Sequence, residues 1–352
     1  MGKIKIIYYS HEVDYAGTWR SHERIIESLN KDIFEPYVLY WDECPTNTRL
    51  DVVEGIVERG HLLPFKRSKE KTGPEKGYTP LWTDFHEVAK KINPKIIHYA
   101  RSGYTEWPFN MRLAPLQIET NIFAAMDISG YLDKSICICD YNAKIRKSAD
   151  AIIANPIPEA KLSGPNFRKE FNIPDDAIVC GRIGRPRGFD PIAIAAFKRL
   201  VYSNPKVYYI VVAPCDEFKA WAQGIPNVIL MPPTSDDATI EAFHRTLDIY
   251  LHYRLDGEIQ STAIAQAMMY GIPVISHVSK FYNGQIETIA DGGFVASDEE
   301  QYYQFLCYLV SNKEMRVEIS KKARRHALET FEQEKVVRKI EDCYIRWLHL
   351  FI

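Results

Sequence analysis

The chain has 352 residues, 46% hydrophobic and 26% charged. That composition excludes whole-chain disorder and coiled coil, and its length suits about two domains. Lys plus Arg is 44 and Asp plus Glu 46, a net charge of −2; this argues against a nucleic-acid partner, since backbone binding draws a basic excess.

The first apolar run, Ile4-Lys5-Ile6-Ile7-Tyr8-Tyr9, is too short for a signal peptide or a spanning helix, and no run of about 18 apolar residues follows. Seven cysteines, an odd number with no C-x-x-C, suit a reducing, cytoplasmic setting. Cys137 and Cys139 alternate along one run and read as core thiols on one strand face.

Strands are predicted at 3–9, 36–41, 95–99, 116–120, 135–139 and 150–154, with a helix over 18–30. The segment from Lys66 to Pro80 carries Lys66, Arg67, Lys69, Lys71 and Lys76. It reads as a solvated loop, with an acceptor or a membrane surface as the alternative contact. Pro156, Pro158, Gly164 and Pro165 mark a boundary. Beyond it, strands are predicted at 178–183, 207–213, 228–231, 248–252, 273–276 and 293–296, and helices at 191–203, 236–246 and 261–270. Runs such as Val207 to Ala213 are apolar on both faces, as in strands covered on both sides. This alternation predicts two doubly wound α/β domains, 1–160 and 161–332. Val336, Ile340, Tyr344, Trp347 and Phe351 recur at helical spacing and predict a final docking helix over 333–352.

Two segments carry chemistry. The first, Gly181-Arg182-Ile183-Gly184-Arg185-Pro186-Arg187-Gly188-Phe189-Asp190-Pro191, ends a strand and opens a helix, with Asp190 as N-cap and Pro191 at the first helical position. Gly184 and Gly188 permit a tight turn. Arg185 and Arg187 lie at the carboxyl edge of the predicted sheet, where open α/β folds bind ligands. Guanidinium groups match phosphate oxygens, so a diphosphate is the expected guest. The glycine spacing is not the G-x-G-x-x-G of dinucleotide folds.

The second segment runs from Asp248 through Glu258 into a helix ending near Tyr270. Ser261 and Thr262 suit its start, whose unpaired N–H groups favour a phosphate. Glu258 stands just outside that start.

Gly184-Arg185…Arg187-Gly188, then Glu258-x7-Gln266-Ala267-Met268-x-x-Gly271-Ile272-Pro273-Val274, and then Ile286 to Val295, resemble the C-terminal domain of family-4 retaining glycosyltransferases of the GT-B fold. The resemblance covers roughly 175–345 and implies two Rossmann-like domains facing a cleft, a C-terminal helix returning to the first domain, and a nucleotide-sugar donor, GDP-mannose or a UDP-hexose. It implies transfer of a hexose to a hydroxyl on a glycan, protein or lipid, without an essential metal. It assigns Arg185 and Arg187 to the diphosphate leaving group, with Arg182 as a third cation and the amides of Ser261 and Thr262 beside them. Glu258 would face sugar hydroxyls, and Gln266 stands where the family holds the ribose with a second Glu. Gln260-Ser261 replaces the usual Phe-Gly.

In the N-terminal half, Tyr15-Ala16-Gly17-Thr18 resembles the family's glycine loop, with Gly17 near the donor. His98 resembles its strand histidine, Asn121 replaces a cleft histidine, and His11 is a candidate acceptor contact. Alternatives are another GT-B class, an epimerase or a phosphorylase, or a non-catalytic binding protein.

Overall fold

The computed structural model describes residues 2–10, 13–14, 17–66, 83–101, 111–124, 130–185 and 187–351. It divides into two compact units, Met1–Pro156 with Gln333–Ile352, and Ile157–Glu332.

The first unit contains β1 (Ile4–Ser10), α1 (Gly17–Ser28), β2 (Phe34–Trp41), α2 (Leu50–Ile56), β3 (Leu62–Phe65), α3 (Thr83–Ile92), β4 (Ile96–Arg101), β5 (Leu116–Asn121), β6 (Lys134–Cys137), α4 (Asp140–Arg146) and β7 (Ala151–Ile152). Its strands form one parallel sheet in the order β3-β2-β1-β4-β5-β6-β7. Both faces of β1 are covered, which explains its uninterrupted apolar run. Ile6 and Tyr8 pack with Trp19, Ile25 and Ile26 of α1, whereas Ile7 and Tyr9 pack with Phe85, Ala89 and Ile92 of α3.

The second unit contains β8 (Ile178–Ile183), α5 (Ile192–Val201), β9 (Val207–Val212), α6 (Asp216–Ala222), β10 (Val228–Met231), α7 (Asp237–Thr246), β11 (Ile249–Leu251), β12 (Gly257–Glu258), α8 (Thr262–Met269), β13 (Val274–His277), β14 (Tyr282–Asn283), α9 (Gly284–Ile289), β15 (Gly293–Ala296), α10 (Glu299–Ser311) and α11 (Lys313–Thr330). The main parallel sheet runs β10-β9-β8-β11-β13-β15, and β12 pairs with β14 separately. This is the doubly wound order, in which the chain reverses direction between β8 and β11. In open α/β folds the carboxyl edge at such a reversal is where ligands bind. Side-chain caps start the helices where the polar residues predict: Asp236, Ser261, Asp298 and Asn312 accept from the third amide onward.

The final helix, α12 (Gln333–Leu348), belongs to the first unit. Val336, Ile340, Tyr344 and Trp347 enter the core with α1 and β1. Phe351 lies beyond the helix end and is exposed, so the apolar stripe stops one member earlier than its spacing predicts.

Candidate functional site

In the second unit, β8 shows strand alternation: Ile178, Cys180 and Arg182 share a face. Cys180 belongs to the core with Tyr209 and Tyr253. Arg182, two residues on, is itself only 5% exposed. Its guanidinium carbon lies over Tyr253, 3.9 Å from the ring centroid. Among the described residues its guanidinium donates one hydrogen bond, from a terminal nitrogen to the Arg185 carbonyl, 3.4 Å away. The Nε is buried without an acceptor. Among the described residues no carboxylate pairs with it. A buried cation with unspent donors favours an anionic partner.

Arg185 and Arg187, by contrast, are exposed. Neither forms an ion pair among the described residues, and Pro186 between them lies outside those residues. Of the two glycines predicted to shape this turn, Gly188 has φ +68° and Gly184 does not take the left-handed region. Only Gly188 is needed for its backbone. Asp190 does cap α5, accepting from the Ile192 amide at 2.9 Å.

The loop after β11 presses against this turn. The Leu255 amide donates to the Gly188 carbonyl at 3.0 Å. A Cβ on Gly188 would come within 2.7 Å of Asp256 Oδ1. Arg254 forks onto Asp256 at 2.6 and 2.9 Å and donates to Glu258 Oε2 at 3.3 Å. The Asp256 hydrogen bonds, with Glu258 adding to them, hold Arg254 protonated well above its ordinary range; the same bonds pull Asp256 below the usual carboxylate range. The other Glu258 oxygen stands 3.8 Å from His252 Nε2. His252 is buried, and its Nδ1 meets Ser276 Oγ at 2.8 Å. Burial lowers its pKa, with Glu258 opposing and Arg182 assisting. The charges of Arg182 and Glu258 both reach Tyr250 as well, whose pKa burial pushes up to about 12.

Glu258 is fixed from behind by Gln285, whose Oε1 accepts its backbone N–H at 3.3 Å. Ser261 caps α8 through the Ile264 amide at 3.4 Å, so its hydroxyl is engaged by its own helix. The Thr262 and Ala263 amides take no acceptor among the described residues. Thr262 and Gln266, four residues apart, are both half-exposed and share the open stripe of α8. No group of three or more His, Cys, Asp or Glu among the described residues could hold a metal ion.

The remaining candidates lie in the first unit. Gly17 is the exposed first residue of α1. Its neighbours Tyr15 and Ala16, and also His11 and 67–80 of the basic loop, lie outside the described residues. His98 does not line a site: it is fully buried, with Nδ1 bonded to the Tyr344 hydroxyl of α12 and Nε2 2.8 Å from Thr120 Oγ1. Burial lowers its pKa to about 3, so it stays neutral. Asn121 ends β5 beside Glu119, a fully buried carboxylate paired with Arg146 at 2.6 Å. Cys137 and Cys139 are buried and form no disulfide; Cys139 also caps α4.

Arg182 was expected as a third cation, whereas Arg254 and Asp256 were not among the expected site residues. The sequence places an arginine at the last inward position of an apolar strand, and charges at 254, 256 and 258 around a turn at 255–256.

Two doubly wound α/β units in one chain are the architecture of the GT-B fold. The family model for group 1 glycosyl transferases matches residues 165–326, which lie within the second unit. Among solved structures, a glycosyltransferase from Rickettsia africae superposes with a TM-score of 0.77 at 14% identity, over 98% of each chain. HepE of Anabaena, solved in complex with UDP-glucose, gives 0.72 at 14% identity over 97% of this chain and 99% of that one. Sucrose-phosphate synthase from Thermosynechococcus elongatus gives 0.71 at 14% identity over 99% and 100%. No curated protein matches the chain. Among the described residues no helix is long and apolar enough to cross a membrane.

Proposed function

We propose that the protein transfers a hexose from a nucleoside-diphosphate sugar to a hydroxyl group of a glycan, protein or lipid, with retention of configuration. The observation that carries this reading is Arg182: a buried guanidinium without a carboxylate partner among the described residues, at the carboxyl end of β8, beside the loop that bears Glu258.

In this reaction the bond between the sugar's anomeric carbon and the β-phosphate oxygen breaks. Negative charge develops on the phosphate and oxocarbenium character on the sugar. Arg182, with Arg185 and Arg187 from the exposed turn, receives the phosphate charge, and the open amides of α8 add partial positive charge. One such preorganised donor is worth about 3 kcal/mol, or roughly a hundredfold in rate. These groups supply the charge compensation that a divalent cation would otherwise provide. Glu258 accepts hydrogen bonds from sugar hydroxyls, and Gln266 exchanges them with the ribose diol. The acceptor hydroxyl attacks the face the phosphate is leaving, and its proton passes to the departing phosphate oxygen. No protein nucleophile is required.

UDP-glucose is the first donor to test, because HepE binds it, with GDP-mannose beside it. Each is incubated with the protein and with hydroxyl acceptors, and free nucleoside diphosphate and transferred sugar are followed. Release that falls at least tenfold in Glu258→Gln supports the proposal. Binding without release defines a binding protein, and conversion of the sugar without release defines an epimerase; either overturns it.

A further inference from the structure

Glu258 is not held by its backbone alone. Arg254 reaches it from four residues upstream, at 3.3 Å, and the same guanidinium is forked onto Asp256. The Arg254 backbone is anchored too: its amide donates to His277 Nε2 at 3.1 Å. His277 Nδ1 stands 3.0 Å from the Val278 carbonyl, which makes Nδ1 the protonated nitrogen and Nε2 the acceptor. Asp256 abuts Gly188, whose missing side chain leaves the room Asp256 occupies. Turn, aspartate, arginine and glutamate are therefore one chain of contacts, from the segment that carries Arg187 to the Glu258 carboxylate.

We propose that Arg254, braced by Asp256, is a positioning residue for Glu258. It fixes Oε2 and leaves Oε1 as the oxygen that meets a sugar hydroxyl, which makes the Arg254–Asp256 pair a determinant of sugar recognition. This rests on the donor-site reading above. A guanidinium suits the task because its planar fork satisfies one carboxylate in two places and keeps a further donor for a second. With Asp256 taking two of its donors, Arg254 is kept from swinging onto the donor phosphate.

The test separates the sugar from the nucleotide. Calorimetry gives the affinities of UDP, GDP, UDP-glucose and GDP-mannose for the wild-type chain and for Arg254→Gln, Arg254→Lys, Asp256→Asn and Glu258→Gln. Thermal melts confirm that each variant is folded. In Arg254→Gln the ratio of sugar-nucleotide to nucleoside-diphosphate affinity is expected to shift at least tenfold against the sugar nucleotide, with nucleoside-diphosphate affinity within twofold of wild type. Glu258→Gln shifts the same ratio, and adding Arg254→Gln to it shifts the ratio little further. Arg254→Lys and Asp256→Asn fall between. A wild-type ratio in Arg254→Gln, while Glu258→Gln shifts it, overturns the positioning role, as does an equal loss for all four ligands. If Glu258→Gln leaves the ratio unchanged, or the wild-type chain binds none of the four, the donor-site reading fails and the positioning role with it.

Discussion

The guanidinium of Arg182 and the ring of Tyr253 are stacked, with 3.9 Å from the guanidinium carbon to the ring centroid. The contact stabilises the cation's orientation without neutralising its charge. Burial raises the Tyr253 pKa to about 12, against the opposing pull of Arg182, so the phenol stays neutral and supplies no counter-charge. An unpaired buried cation costs desolvation, a cost a bound diphosphate would offset.

That tension gives the first prediction. Arg182→Met fills similar volume without the charge, so its melting temperature should match or exceed that of the wild type. Its affinity for nucleoside diphosphates should fall roughly 10- to 100-fold, the loss of a charged hydrogen bond. Thermal melts and calorimetry together check this. A variant that loses stability and keeps affinity would make Arg182 structural.

The two turn glycines should respond differently. Gly188→Ala forces an L-residue to φ +68° and drives its Cβ to 2.7 Å from Asp256 Oδ1, at about 1–3 kcal/mol of strain. At Gly184 a Cβ would meet nothing nearer than 3.5 Å, so Gly184→Ala should fall within about 0.5 kcal/mol of wild type. Urea unfolding of both variants measures the difference, and equal costs would contradict the geometry.

In the first unit, the Tyr344 hydroxyl joins His98 to Tyr8, whose own hydroxyl is 3.1 Å away. Tyr344→Phe leaves His98 Nδ1 and the Tyr8 hydroxyl buried and short of a partner. Destabilisation of about 1–3 kcal/mol is expected, read as a lower urea midpoint at unchanged slope. No change would mean that the Tyr344 hydroxyl adds nothing to the docking of α12.

Acid should weaken the fold through its buried histidines. Burial lowers His98 to about 3 and His244 to about 4, and holds His22 well below its ordinary 6.5. In the unfolded chain each binds a proton near pH 6.5, whereas the folded chain resists until much lower pH. Their contribution is therefore complete above pH 6.5 and is lost as pH falls from there towards 3. Denaturation midpoints at pH 7.5, 6 and 5 should decline in that order. For His98→Gln the decline should be shallower. A flat profile would show these rings to be solvated.

The sheet strands were legible where both faces are apolar, since continuous runs such as Ile4 to Tyr9 have few other uses. Strand β3 was not, because Pro64 interrupts it. It occupies the edge of the sheet, where a residue without an amide proton is tolerated. The two-residue β12 and β14 are too short to show a period. The same limit explains the site: the arginine turn and Glu258 lie in recognisable local patterns, but the pairing of Arg254 with both Asp256 and Glu258 depends on how the loop folds. The partner that fixes His98, Tyr344, is 246 residues away, and no local pattern reports such a contact.

The central claim is that arginines after β8 hold the donor's diphosphate. Calorimetric titration of UDP-glucose and GDP-mannose into the wild-type chain and the Arg185→Ala/Arg187→Ala variant tests it most directly. The account predicts binding of at least one sugar nucleotide by the wild type and a loss of tenfold or more in the variant. Equal affinities in the two proteins would contradict it.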